Sequence, residues 1–333
     1  MALLRVKPDD LDQVAALADI LNAAGRIDDP EGWPEIVEML AGELAYGWDL
    51  EPAEQYLYTP DGAEHPVAGL SIDLPQRDNR HLVGAWIVVH PDHRRQGHGS
   101  HLMGEVLRIA AEAGRPTIWA QAVESDHGAR AFVERFGFVY ASHDARRRQV
   151  LAEVGPEVIN GLYATAARAA ADYRLERLLQ PIADEVLSEL IEVTAAINDA
   201  PMGDLTFEHE VFDLARLQDS ETARRRRGER SYRVIARHRE TGEVGGHTMV
   251  VTHPLRPAVA GQADTAVARA HRGHRLGLLL KIDMLRWLAE VEPQIEVIDT
   301  WNNVDNDFMI KVNEALGYRL SQVYATYELN QAT

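Results

Sequence analysis

The chain contains no cysteine in its 333 residues, which excludes disulfides, thiolate metal sites and a cysteine nucleophile. Lysine is almost as scarce, present only as Lys7, Lys281 and Lys311, so arginine carries nearly all of the positive charge. Positive charge is itself in deficit: 34 Lys and Arg stand against 52 Asp and Glu, a net charge of −18. That balance argues against nucleic-acid and anionic-membrane partners and suits a cationic small molecule. No apolar run is long enough to span a bilayer, and the charged residues from Arg5 to Asp12 leave no signal-peptide core. Cytoplasm is the expected compartment. The 46% hydrophobic and 26% charged fractions are those of a globular protein, and the length favours two domains over one.

Residues 82–89 read as a buried strand, and a basic, glycine-bearing turn follows, Arg94-Arg95-Gln96-Gly97-His98-Gly99-Ser100. The turn opens into the helical spacing Leu102, Val106, Leu107, Ala110. Glycines let backbone N–H groups approach a ligand, and a helix N-terminus adds unpaired N–H groups with partial positive charge. A pyrophosphate suits such a place. The same order of elements returns further on, with Arg272-Gly273-His274-Arg275-Leu276-Gly277 in the turn. Gly99 stands 38 residues before Gly137, and Gly277 stands 40 before Gly317, so the chain reads as two copies of one fold. The copies span residues 1–151 and 172–330, with 152–171 as an alanine-rich linker predicted to be helical.

In both halves these residues resemble the GCN5-related N-acetyltransferase (GNAT) superfamily, as a tandem member similar to actinobacterial tandem acetyltransferases. The family's acyl-CoA loop, Gln/Arg-x-x-Gly-x-Gly/Ala, is matched in full from Arg94 to Gly99. The second copy keeps Arg272 and Gly277 but puts Arg275 at the central glycine. The resemblance implies an α/β (α+β) fold: two tandem GNAT domains, each a mixed, mostly antiparallel twisted sheet with a splayed strand pair, flanked by helices. It also implies acetyl-CoA or another acyl-CoA as cofactor, held by Val88, Val89, the Arg94–Ser100 turn and Asp126 in the first copy. Val267, Ala268, Arg272, Gly273, His274, Arg275, Gly277 and Asn306 are their counterparts in the second. Asp126 and Asn306 also read simply as helix caps. At the position of the family's tyrosine acid stand Val133 and Asn313.

The implied reaction is acyl transfer from acetyl-CoA to a primary amine of a small molecule by direct attack. The alternative is a non-catalytic acyl-CoA-binding protein in which one or both copies have decayed. An amine must shed a proton before it attacks, and Glu124, Asp264 and His247 are the candidate bases. Asp28, Asp29, Asp199 and Asp204 are candidate amine-binding carboxylates, although turn chemistry alone accounts for aspartate there. CoA is expected in the first copy, and the polar run Thr300, Asn302, Asn303, Asn306 tilts chemistry toward the second. His90, His93, His98 and His101 fit no compact ligand set, so no metal is expected. Arg224 to Arg227 read as a solvated face or as partners of carboxylates, not as a nucleic-acid patch. A monomer or homodimer is expected.

Overall fold

The computed structural model describes residues 2–331. The chain forms two compact units. The first lies within Met1–Asp144, Met202–Glu208 and Gln322–Thr333, the second within Ala145–Pro201 and His209–Ser321. Among the described residues no helix is long and apolar enough to cross a membrane.

The first unit begins with β1 (Ala2–Arg5), α1 (Leu11–Asp28), α2 (Val37–Tyr46), β2 (Glu54–Thr59), β3 (Ala68–Asp73) and β4 (Leu82–Val89). Then come α3 (His98–Glu112), β5 (Thr117–Val123), α4 (His127–Arg135) and the start of β6 (Val139–Val150). Strand alternation sorts the side chains between two cores. Ala68, Leu70, Val83, Ala85 and Ile118 pack with Leu102, Met103 and Val106 of α3. On the other face Leu57 meets Val14, Leu17 and Ile20 of α1, with Leu40 of α2. Asp10 starts α1 by accepting the Gln13 N–H, and this helix runs on to Asp28.

The parallel pair β4 and β5 is in register from Leu82 opposite Thr117 to Ala85 opposite Ala120. Beyond Ala85 both strands continue without pairing to each other. The other edge of β5 carries an unexpected neighbour. Residues 322–330 of the last strand, β12 (Arg319–Asn330), run antiparallel to it from Tyr324 opposite Val123 to Asn330 opposite Thr117. Ala325 and Tyr327 are buried in the α3-side core. A division of the chain at 151 and 172 assigns this strand to the second copy, because alternation states that a strand has an apolar face and not which edge it joins.

The second unit repeats the plan. Its elements are α5 (Pro156–Ala169), β7 (Tyr173–Leu179), α6 (Asp184–Ala195), α7 (Leu214–Arg226), β8 (Arg230–His238), β9 (Val244–Thr252) and β10 (Val259–Val267). α8 (Leu276–Val291), β11 (Val297–Asn303) and α9 (Asp307–Ala315) complete them. β10 and β11 are parallel from Val259 opposite Val297 to Gln262 opposite Thr300, and then part. Beside β11 runs the remainder of β6, where Arg148 holds Asp299 through two hydrogen bonds of 2.7 Å. The alanine-rich stretch is helical as α5, and its Ile159, Leu162, Tyr163 and Ala166 pack into the α8-side core.

Because β12 closes the first unit, Tyr327→Ala is expected to destabilise that unit by about 3 kcal/mol. Amide hydrogen exchange checks this: protection should fall in β5 and persist in β8, and equal loss in both would contradict the assignment.

Candidate functional site

Each unit ends its parting strand in the same turn. In the first, Arg94 donates from Nε to the Val89 carbonyl at 3.1 Å, and from its two Nη atoms to both Asp28 oxygens at 2.8 and 2.5 Å. This bidentate pair ties the end of α1 to the turn, and the Asp28 hydrogen bonds hold the Arg94 pKa above its ordinary value. After it the backbone makes two left-handed steps, at Arg95 (φ 64°) and Gly97 (φ 90°), and Gly97 caps α3. Among the described residues the backbone N–H groups of Arg95, Gln96, Gly97, His98, Gly99 and Ser100 donate to no protein group. A Cβ built on Gly97 would meet nothing within 4 Å. An open cradle of unpaired N–H groups at a helix N-terminus fits a phosphate-bearing cofactor.

The second unit builds the same cradle with its residues interchanged. Arg272 donates from Nε to the Val267 carbonyl at 3.2 Å and from Nη2 to Asp199 at 2.6 Å, and Arg269 takes the other Asp199 oxygen at 2.8 Å. Those two arginines hold the Asp199 pKa below its usual value. Its left-handed steps fall at Gly273 (φ 89°) and Arg275 (φ 56°). Glycine and arginine have therefore exchanged places between the copies, and Arg275 keeps the turn at a strain of about 1 kcal/mol.

Between the parted strands, the pleat decides which main-chain groups are available. His90 donates to Val67, the residue before β3, and Ala268 to Gly245 of β9, so alternation aims the groups of Val88 and Ala268 at β3 and β9, respectively. The groups facing the gap are those of Ile87 and Val89 in the first unit, and of Val267 in the second. Ile87 has no side-chain signal, which is why the sequence does not single it out. Asp126 accepts from Gly128 and Ala129, and Asn306 from Met309: both cap helices.

The remaining candidates divide sharply. Asp28 and Asp199 hold the turns, Asp29 accepts a hydrogen bond from the Tyr324 hydroxyl at 2.8 Å, and Asp204 is exposed in the 202–208 segment of the first unit, not in the second. Glu124 is exposed just past β5. Asp264 is half-buried at the irregularity where β10 slips against β9. His247 is fully buried, and its Nδ1 lies 2.8 Å from Nη1 of Arg233. A guanidinium only donates, so Nδ1 is the acceptor, the ring proton sits on Nε2, and no lone pair is left to act as a base. Burial and the Arg233 charge push its pKa well below the usual value. Arg224, read in sequence as part of a solvated face or a carboxylate pair, is buried and bonded to Glu221 at 3.1 Å.

Where the family places its acid, Val133 is buried in the core of the first unit. In the second, Asn313 accepts from Lys281 Nζ at 2.7 Å and donates to Asn302 at 2.6 Å. Lys281 lies 4.6 Å from the Tyr318 ring centroid, and burial lowers its pKa to about 7. Scarcity singles out all three lysines in the sequence, but nothing there separates buried Lys281 from exposed Lys311, which also lies on a helix. Among the described residues no group of three or more His, Asp or Glu converges to hold a metal.

Residues 16–138 match the model of the acetyltransferase (GNAT) family. Among curated proteins, the mycothiol acetyltransferase of Saccharomonospora viridis is 34% identical over 131 residues, which are 38% of this chain. The match spans 38% of that relative's length. Among solved structures, a tandem GNAT protein from the clavulanic acid biosynthesis pathway superposes with a TM-score of 0.82 at 24% identity, covering 100% of this chain and 99% of the other. A GCN5-related N-acetyltransferase from Sphaerobacter thermophilus does so with a TM-score of 0.71 at 13% identity, over 100% and 96%. At these identities the structural likeness carries the fold.

Two outcomes follow from the geometry. Arg94→Ala and Asp28→Ala should each weaken CoA binding about tenfold, and the double variant little further, because both break one contact; calorimetry reads the coupling. Lys281 has its folded pKa lowered to about 7 from 10.5, so between those values the unfolded chain binds the extra proton. Its destabilising effect is complete below pH 7 and fades as pH rises toward 10.5. Urea unfolding should therefore show the advantage of Lys281→Met over wild type shrinking from pH 7 to pH 10.

Proposed function

Because residues 16–138 match the acetyltransferase (GNAT) family model, we propose that the chain is a member of that family and moves an acyl group from acetyl-CoA to a primary amine of a small molecule, with the chemistry in its first unit. The observation that carries this reading is the first unit's parted strands, which run into a cradle of unpaired N–H groups around Gly97. When bound, acyl-CoA supplies a thioester as the acyl donor. The N–H groups from Arg95 to Ser100 would hold its phosphates, and the main chain of Ile87 and Val89 its pantetheine arm. A gap-facing N–H on β4 is also suited to stabilise negative charge on a carbonyl oxygen under attack.

The two units differ on the opposite face of the sheet, where α1 and α6 lie. In the first unit that face carries half-buried Trp86 and Gln121 at the mouth of the gap, with Trp86 edge-on to Trp119 at 4.5 Å. In the second, Arg233 and His247 of the sheet meet Glu221 and Arg224 of α7, all four buried. These side chains fill the floor that an acceptor would need. A binding role without catalysis therefore suits the second unit, the reverse of the tilt taken from its polar strand end. The acidic surface, net −18, favours the approach of a cationic acceptor.

Release of free CoA thiol in the presence of spermidine, kanamycin or glucosamine tests the reading. Gly97→Trp should lower turnover at least a hundredfold, and Gly273→Trp should change it by no more than a few-fold. The opposite ranking would move the chemistry to the second unit; CoA binding without turnover of any amine would favour a binding protein.

A further inference from the structure

A bound alkylammonium, with an ordinary pKa near ~10.4, must lose a proton before it can attack a thioester. In the first unit Asp28 is committed to Arg94, and Glu124 is exposed at the end of β5. A further polar pair lies at the gap, and half of it comes from the far end of the sequence. Tyr324 lies on β12 opposite Val123, beyond the point at Ala120 where β5 leaves β4. Its neighbours Ala325 and Tyr327 face the α3-side core, so alternation sends Tyr324 to the face of α1, with Trp86 and Gln121.

A continuous chain of contacts shows where its hydroxyl ends up. The Val89 carbonyl accepts from Arg94, Arg94 holds Asp28, and the next residue, Asp29, accepts from the Tyr324 hydroxyl at 2.8 Å. Val89 belongs to the strand on one side of the gap, and Tyr324 is rooted beyond the strand on the other. The tyrosine and the end of α1 thus bridge the gap on the acceptor face. The second unit has no such bridge: Asp199 is followed by Ala200, and two arginines occupy its carboxylate.

The geometry points to Tyr324 and Asp29 as the pair through which the acceptor amine loses its proton, an assignment that rests on the amine-acyltransferase reading above. The direction of the hydrogen bond fits. Tyr324 donates to Asp29 and offers its oxygen to an ammonium N–H. The ammonium proton passes to the Tyr324 oxygen as the Tyr324 proton passes to Asp29, and Asp29 releases it to water. The freed lone pair forms the C–N bond, the thioester C–S bond breaks with its electron pair going to sulfur, and the amide nitrogen's remaining extra proton goes to water. The thiolate takes a proton from water. Tyr324 touches the amine; Asp29 positions it and carries the charge.

Tyr324→Phe and Asp29→Asn test the assignment in the full chain, with spermidine, kanamycin and glucosamine as acceptors from pH 7.5 to 10.5. At pH 7.5 each variant should lose about a hundredfold in kcat, the size of a positioned proton acceptor. That loss should close to within about tenfold by pH 10.5, where the amine arrives neutral. CoA affinity by calorimetry should stay within about threefold of wild type, since neither side chain belongs to the phosphate cradle. Wild-type turnover in Tyr324→Phe at pH 7.5, or a loss equal at every pH, would overturn the assignment and leave the amine-acyltransferase reading intact. Wild type that binds CoA and acylates none of the three amines overturns that reading, and the assignment with it.

Discussion

Everything functional in this chain depends on two parallel strands that stop pairing partway along their length. A strand edge in a protein interior leaves N–H and C=O groups that need partners, and β4 and β10 satisfy theirs only in part. The carbonyls of Val89 and Val267 are taken by Arg94 and Arg272, and the same two arginines grip Asp28 and Asp199. A bidentate guanidinium suits this work because its planar fork holds a backbone carbonyl and a carboxylate at once. Among the described residues the N–H groups from Arg95 to Ser100 stay unpaired, and on the proposed reading that asymmetry turns a structural defect into an anion site.

Much of this was legible in the sequence. The turn announces itself through glycine spacing, and its recurrence shows the duplication. What the sequence concealed follows from geometry beyond its periodicities. Asp28 and Asp199 read as substrate carboxylates because charge on a loop is visible and the arginine that takes it, 66 residues away in the first case, is not. Val88 stood out beside the turn, yet a strand's pleat offers every second residue to the gap, and the phase is set by the pairing of His90 with Val67. His247 carried the right chemistry in the wrong tautomer, fixed by an arginine on the next strand. Tyr324 was hidden most completely, since nothing in an alternating strand records the edge it will join.

The two units also show how one backbone supports different fates. Interchanging glycine and arginine at the two left-handed positions preserves both cradles. The acceptor faces have diverged instead. In the second unit the Nε atoms of Arg224 and Arg233, the Nε2 of His247 and a carboxylate oxygen of Glu221 are buried without hydrogen-bond partners. Each such atom costs on the order of 1–3 kcal/mol. A face that tolerates this is filled by packing, with Glu221 and Arg224 of α7 buried against Arg233 and His247 of the sheet.

The exchange of final strands bears on the halves of the chain as well as on the site. Residues 322–330 complete the sheet of the first unit, and residues 145–150 border β11 in the second. A fragment ending near residue 151 would keep the phosphate cradle, all of β4 and β5, and Asp29. It would lack Ala325 and Tyr327 from its core, leave the outer edge of β5 open, and have no tyrosine to bridge its gap. Joining β12 to β5 requires closing a loop of 213 residues between Thr117 and Asn330, which slows folding more than it affects final stability. The motif that identifies the first copy is therefore local, and the unit that makes use of it is not.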